Sequence, residues 1–225
     1  MPRTARSIVV DCPMHIVQRG INRSPCFFGE ADYTNYLRYL ALFSARFACS
    51  VHAYCLMTNH VHLLLTPHAT EACARVMKNL NQRYVQGVNH RLGRSGTLWE
   101  GRFHSSLVTS HHYALACYRY IELNPVRAAI APSPGQYPWS SYRTNAEGEE
   151  SGFVRPHAAY EALGREKDAR IRSYKELCAL GTITAEYDEI RKATRAGSVI
   201  GAPRKSRGRP PKRDEKNGVR PHFQG

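Results

Sequence analysis

The chain has 225 residues, room for one core of roughly 100 to 150 residues plus extensions, and this excludes a protein built on two large cores. Its 32 Lys and Arg against 18 Asp and Glu leave a formal charge of +14, which suits a polyanionic partner, nucleic acid being the commonest. No apolar run approaches the roughly 18 residues needed to cross a bilayer, and no basic helix with a wide apolar face stands out, so a membrane partner is set aside.

In chain order, alternation in Met14-His-Ile-Val-Gln-Arg-Gly predicts a strand closed by Gly20, followed by a loop at Asn22-Arg-Ser-Pro. From about Ala31 to Ala48, Tyr33, Tyr36, Leu37, Leu40, Phe43 and Phe47 recur at helical spacing and predict an amphipathic helix. Two β-prone runs, Val51-His-Ala-Tyr-Cys-Leu-Met and His60-Val-His-Leu-Leu-Leu-Thr, flank the polar pair Thr58-Asn59 and read as a hairpin. A second helix is expected over about 70–92, with Val76, Leu80, Tyr84 and Val88 on one face. A further strand is expected near His104-Ser-Ser-Leu-Val, and a third helix from His111 to Leu123, halted by Pro125.

This order predicts an α+β domain with a ferredoxin-like antiparallel sheet flanked by helices, spanning residues 1–131. Residues 132–196 read as an extension. An irregular aromatic segment, Pro132-Ser-Pro-Gly-Gln-Tyr-Pro-Trp-Ser-Ser-Tyr, leads into helices near 157–163, 165–180 and 185–196. From residue 197 to 225 the chain is rich in Gly, Pro, Lys and Arg and is expected to be a disordered basic tail when free. The seven cysteines are scattered and never form a C-x-x-C pair, which predicts reduced, mostly buried thiols of a cytosolic protein. The apolar Ile8-Val-Val is too short for a signal peptide, and the expected location is the cytoplasm, associated with the nucleoid.

Alternate side chains of a strand share a face, so His60 and His62 point the same way with Val61 aimed at the core, and two imidazoles so placed can share a divalent metal. Taken alone, the pair reads more readily as ordinary strand histidines. Tyr120 and Asn124 stand at i and i+4 of a helix, which stacks a phenol over an amide oxygen. Brought against the histidines, they would supply a nucleophile and a third ligand in a mixed nitrogen and oxygen shell that Mg²⁺ or Mn²⁺ accepts. The alternative is a packed helix tyrosine and a capping asparagine before Pro125.

Four ordered motifs connect these residues. Ala53-Tyr-Cys-Leu-Met-Thr-Asn-His-Val-His, Leu98-Trp-Glu-Gly-Arg-Phe, Tyr120-Ile-Glu-Leu-Asn-Pro-Val-Arg-Ala and Tyr137-Pro-Trp-Ser-Ser-Tyr resemble those of the REP-associated tyrosine transposases, within the HUH single-tyrosine transposases. The likeness covers about residues 8 to 145. It implies a histidine-bound divalent metal, a single-stranded DNA substrate with hairpins, and no nucleotide cofactor. It also implies that Tyr120 is the nucleophile, with Tyr118 pointing off the opposite side of the helix. The relatives that move insertion sequences carry glutamine four residues after the tyrosine, where this chain has the shorter Asn124 as candidate third ligand.

The activity so implied is cleavage and rejoining of single strands at hairpin-forming, REP-like repeats through a 5′-phosphotyrosine. A phenol with a reference pKa of about 10 is a weak nucleophile, so the metal is expected to orient the scissile phosphate and stabilise its developing charge. Two competing readings are a catalytically silent protein that recognises repeats, and a rolling-circle initiator or relaxase. Arg102, Arg119 and Arg127 lie near the motifs and are candidate phosphate contacts. His104, His111 and His112 read as surface or DNA-contacting residues, and Trp99 as packing. Arg207-Gly-Arg-Pro-Pro-Lys resembles an AT-hook core. Arg207, Gly208, Arg209 and Pro210 would follow the narrow minor groove of duplex A·T-rich DNA as an auxiliary anchor. Related enzymes include monomers and swapped dimers, so the chain is expected to be a monomer or a homodimer, with either subunit supplying Tyr120.

Overall fold

The computed structural model describes residues 8–181 and 184–201. Arg207, Gly208, Arg209 and Pro210 lie outside the described residues. The elements β1 (Met14–Arg19), α1 (Glu30–Arg46), β2 (Cys49–Met57), β3 (His60–Pro67), α2 (Ala72–Arg91), β4 (His104–Val108) and α3 (His111–Glu122) follow one another in the order expected. A single turn, α4 (Asn124–Arg127), comes next, then α5 (Tyr142–Glu147), α6 (Ala158–Glu161), α7 (Lys167–Ala179), α8 (Thr184–Ala196) and β5 (Val199–Ile200). Val199–Ile200, which the sequence reading assigns to the tail, instead pair in parallel with β4.

Among the described residues the strands form one sheet in the order β2-β3-β1-β4-β5, antiparallel apart from β4 with β5. Because β1 lies between β3 and β4, the crossovers through α1 and α2 each skip one strand, which is the ferredoxin-like arrangement. Both faces of the sheet are covered. On one, Ile16, Val61, Leu63 and Leu65 pack with Tyr36 and Leu40 of α1 and Leu80 and Tyr84 of α2. On the other, Cys55, Leu64 and Val108 pack with Cys117 and Ile121 of α3 and Tyr187 and Ile190 of α8. This explains the unbroken run Leu63-Leu64-Leu65, since a strand buried on both faces has no polar side to present. It also locates His62, two residues from Leu64, on the α3 and α8 side and under cover.

Pro125 shapes the helix end by bending the chain rather than stopping it. Helix α3 ends at Glu122, and Pro125 occupies the opening turn of α4, where its missing N–H has no intrahelical partner to lose. The aromatic segment then folds back on the open edge of β2. The Tyr137 hydroxyl donates to the Leu56 carbonyl at 2.6 Å, Leu56 N–H donates to Trp139 O at 2.9 Å, and Ser141 N–H donates to Tyr54 O at 3.0 Å. An edge that would otherwise offer unpaired backbone groups is thereby closed.

Glu122 ties these pieces together. It is fully buried, with Ser141 Oγ donating to Oε1 at 2.5 Å, Asn145 Nδ2 to the same oxygen at 2.7 Å, and the Tyr174 hydroxyl to Oε2 at 2.6 Å. Burial outweighs these bonds and pushes its pKa up from 4.5 to about 7. A raised carboxyl contributes stability that is fully present below pH 4.5 and is lost as pH rises through about 7. Glu122→Gln removes that titration. In urea unfolding, the stability of the wild type relative to Glu122→Gln is therefore expected to fall by on the order of 2 to 3 kcal/mol between pH 5 and pH 8. A pH-independent difference would contradict the assignment. Among the described residues, no helix is long and apolar enough to cross a membrane.

Candidate active site

The β2–β3 turn sets the position of the histidine pair. Gly20 N–H donates to Asn59 O at 2.8 Å and Cys26 N–H to Thr58 O at 2.8 Å, which pins the two-residue turn against the loop after β1. A Cβ at Gly20 would collide with the Ser24 carbonyl, so this approach requires glycine. His60 then stands in register with Arg19 of β1, and His62 with Val17. Both imidazoles line a cleft of about 440 Å³, within the range of ligand sites, together with Tyr120 and Asn124. A single chain thus brings together all four residues of the expected constellation.

Each histidine is oriented by its Nδ1. Asn59 Nδ2 donates to Arg23 O at 3.0 Å, which leaves Asn59 Oδ1 to accept from His60 Nδ1 at 2.6 Å. His62 Nδ1 lies 3.1 Å from Nε2 of His15. Neither Nε2 of the pair takes a hydrogen bond among the described residues, and the two rings are 4.9 Å apart between centroids. Burial lowers the pKa of His60 to about 4, with Arg19 and Arg127 adding to the shift. Burial holds His62 well below its ordinary value, with His60, His15 and the two arginines contributing. Both rings are therefore neutral near pH 7 and able to offer a lone pair to a cation. Among the described residues no three His, Cys, Asp or Glu converge as a metal site, so a cation here would draw its further donors from an amide, water or substrate.

Tyr120 is buried, its ring edge-on to His62 at 5.4 Å and to His15 at 5.5 Å. Its hydroxyl takes no hydrogen bond among the described residues, so no side chain or backbone group among them competes for its lone pairs. The Arg127 guanidinium lies 4.9 Å from the Tyr120 ring centroid and 4.8 Å from that of Tyr187, a cation held over the phenol. It also approaches Asn124 Oδ1 at 3.5 Å, a long contact that leaves the amide oxygen nearly unengaged. Tyr118 faces the other way. It is fully buried against Tyr160 and Tyr174, and its hydroxyl accepts from His157 N–H at 3.1 Å.

The other expected residues divide. Arg127 and His104 line the cleft. Arg102 is exposed and outside it. Arg119 is buried and donates to the Gly181 carbonyl, which turns it away from the cleft and into the fold. His112 pairs with Glu186 at 3.0 Å, and the His111 ring lies 6.1 Å from that of His157. Trp99 packs between Tyr36 and Tyr84, as its reading as a packing residue has it.

Sequence reasoning passed over His15, Arg19, Glu100, Arg191, Thr194 and Arg195, which line the same cleft. The signal for His15 and Arg19 was present, because strand alternation places both on one face of β1 with Val17. No local pattern marks the three residues of α8, which reach the cleft only because that helix packs on β4 and β1. Four arginines against the single carboxylate of Glu100 make the cleft strongly electropositive.

Residues 8–124 match the family model described as transposase, IS200 like. That match takes in more than half of the chain, together with the histidine pair, the tyrosine and the asparagine. The protein is a member of the IS200-like transposases, enzymes of the transposase kind. Its fold is similar to that of a REP-associated tyrosine transposase solved bound to a REP hairpin. The likeness has a TM-score of 0.56 at 17% identity and covers 71% of this chain and 96% of that one. A putative transposase from Deinococcus radiodurans R1 aligns over 57% of this chain and 98% of its own, at 18% identity and a TM-score of 0.37. No curated protein is a match.

Proposed function

We propose that the protein is a metal-dependent transposase that cleaves and rejoins single-stranded DNA at hairpin-forming, REP-like repeats, with Tyr120 as nucleophile. The observation that carries this reading is the convergence of Tyr120, Asn124 and the two unengaged Nε2 atoms of His60 and His62 in one electropositive cleft. The neutral imidazoles and the amide oxygen fit a divalent cation such as Mg²⁺ or Mn²⁺, with Asn124 as third ligand. A cation so held supplies Lewis-acid polarisation of the scissile phosphate.

The chain's own residues do the rest. The Tyr120 oxygen attacks phosphorus, the bond from phosphorus to the 3′ oxygen breaks, and the strand is left with a 5′-phosphotyrosine and a free 3′-hydroxyl. The phenol proton passes to solvent, and a proton from solvent completes the 3′-hydroxyl. Arg127, stacked on the ring, stabilises negative charge as it develops on the phenolic oxygen. Because a phosphodiester replaces a phosphodiester, a later 3′-hydroxyl can reverse the step without ATP or another nucleotide. Arg19, Arg191 and Arg195 line the path a backbone would take into the cleft, and exposed Arg102 lies nearby in sequence to continue it. The segment Arg207 to Pro210 is proposed as an auxiliary contact to duplex A·T-rich DNA.

Incubating the protein with Mn²⁺ or Mg²⁺ and end-labelled hairpin oligonucleotides carrying single-stranded flanks tests the reading. Cleaved strands with a covalent protein adduct, lost on adding EDTA, are expected. Binding of the same oligonucleotides without cleavage under either metal would overturn it and leave a repeat-binding protein.

A further inference from the structure

A chain of hydrogen bonds runs from His62 through His15 and Thr194, which also line the cleft, to Ser106. His62 Nδ1 meets His15 Nε2 at 3.1 Å, His15 Nδ1 meets Thr194 Oγ at 2.9 Å, and Ser106 Oγ meets the same Thr194 oxygen at 3.0 Å. All four residues are buried, and the rings of His15 and His62 lie parallel, 2° apart in plane. Thr194 donates its own proton to the Ile190 carbonyl at 2.7 Å, one helical turn back. That commitment determines every proton further along.

With its proton used, Thr194 Oγ has two lone pairs and two neighbours to fill them, so Ser106 and His15 Nδ1 must both donate. His15 then carries its proton on Nδ1 and presents a bare Nε2, which can only accept. His62 must in turn donate from Nδ1, and its remaining lone pair is on Nε2. The opposite polarity would have Thr194 donate to His15 and His15 donate to His62, leaving His62 Nε2 protonated. That arrangement abandons the shortest bond of the chain, from Thr194 to Ile190.

We infer that His15 is a positioning residue for the metal centre. With Thr194 of α8 and Ser106 of β4 it fixes His62 in the Nδ1–H tautomer and thereby prepares Nε2 to ligate the cation. Metal-bound histidines are generally held this way through their second nitrogen, by a carboxylate, a carbonyl or water. Here the partner is another imidazole, whose proton is fixed in turn by a helix hydroxyl. His60 receives the same service locally from Asn59, within one turn. The support for His62 reaches instead to a helix beyond residues 8–124, so the C-terminal extension is part of the metal site and not an appendage to it. This inference rests on the metal reading of the proposed function.

The test has two arms. In the first, ¹⁵N-histidine-labelled wild-type protein without metal is examined at pH 7.5 by long-range ¹H–¹⁵N correlation, with His62 and His15 assigned by single substitution. The expected pattern is Nδ1–H for both, and an Nε2–H tautomer at His62 overturns the inference. In the second, Mn²⁺ affinity is measured by titration calorimetry for His15→Phe, His15→Gln and Thr194→Val, with thermal unfolding recorded for each. His15→Phe keeps the ring but offers no acceptor, and is expected to weaken Mn²⁺ binding by about 10- to 100-fold. His15→Gln, whose amide oxygen can take the His62 proton, is expected to recover most of that loss, which a merely structural role would not do. Wild-type affinity in His15→Phe overturns the inference. If the wild type itself binds no Mn²⁺, the metal reading fails, and the tautomer measurement alone decides whether His15 orients His62.

Discussion

Tyr120→Phe is expected to abolish strand cleavage, a loss of roughly 10,000-fold or more, and to leave fold and DNA affinity intact. Both halves follow from its surroundings. The Tyr120 ring is held by edge-on contacts to His15, His62 and Tyr187 and by the guanidinium of Arg127, all of which phenylalanine retains. Its hydroxyl has no partner among the described residues, so its removal orphans no buried group and unfolding is expected to shift by less than about 1 kcal/mol. Tyr118→Phe should do the reverse. It deletes the acceptor of His157 N–H in a fully buried position, with an expected cost of about 1 kcal/mol, and it leaves cleavage at the wild-type rate. Cleavage rates on a labelled hairpin substrate, paired with thermal unfolding of both variants, separate the two. Two variants that lose cleavage in parallel would mean that helix integrity was being measured.

His60→Ala and His62→Ala are each expected to lower metal-dependent cleavage by roughly 1000-fold, the equivalent of about 4 kcal/mol of transition-state stabilisation. Their structural costs should differ. Removing the half-buried His60 frees Asn59 Oδ1 beside solvent, where water replaces the lost bond. Removing the buried His62 leaves His15 Nε2 without a donor inside the fold, with an expected cost of about 1 to 3 kcal/mol. Equal loss of activity with unequal loss of stability is therefore the signature of two ligands supported in different ways. Wild-type cleavage and Mn²⁺ affinity in His60→Ala would remove that residue from the site. Acid should act in the same direction as these substitutions. Protonation of His60 at about pH 4 both destroys a lone pair and charges a ring that the fold partly desolvates, so its contribution to stability is present above pH 6.5 and lost as pH falls through 4.

The parts of this site that were legible in the sequence are those governed by local periodicity. A two-residue step on a strand pairs His60 with His62, and a helical step of four brings Tyr120 over Asn124, and both pairs line one cleft. The succession of strands and helices likewise carried the ferredoxin-like order, because runs such as Leu63-Leu64-Leu65 and the spacing of Val76, Leu80 and Tyr84 are local. What the sequence hid was set by contacts between distant segments. Thr194 matters only because α8 lies on β4, which brings its hydroxyl to His15 across 179 positions. Arg119 reads as a free cation on the helix that carries Tyr120, yet the Gly181 carbonyl claims it. Glu122 stands within the motif that begins at Tyr120, but its purpose is apparent only where Ser141 and Asn145 reach it. Two motifs that resemble a family separately are thus two ends of one buried hydrogen-bond cluster.

The most direct test of Tyr120 as nucleophile is to locate the DNA adduct itself. Trypsin cuts after Arg119 and after Arg127, so Tyr120 and Tyr118 fall in different peptides. After reaction with a hairpin oligonucleotide in Mn²⁺, nuclease trimming and digestion, mass spectrometry should find a nucleotide linked through its 5′-phosphate on the peptide spanning 120–127. An adduct on the peptide that ends at Arg119, or cleaved strands with no adduct on any peptide, would contradict the account.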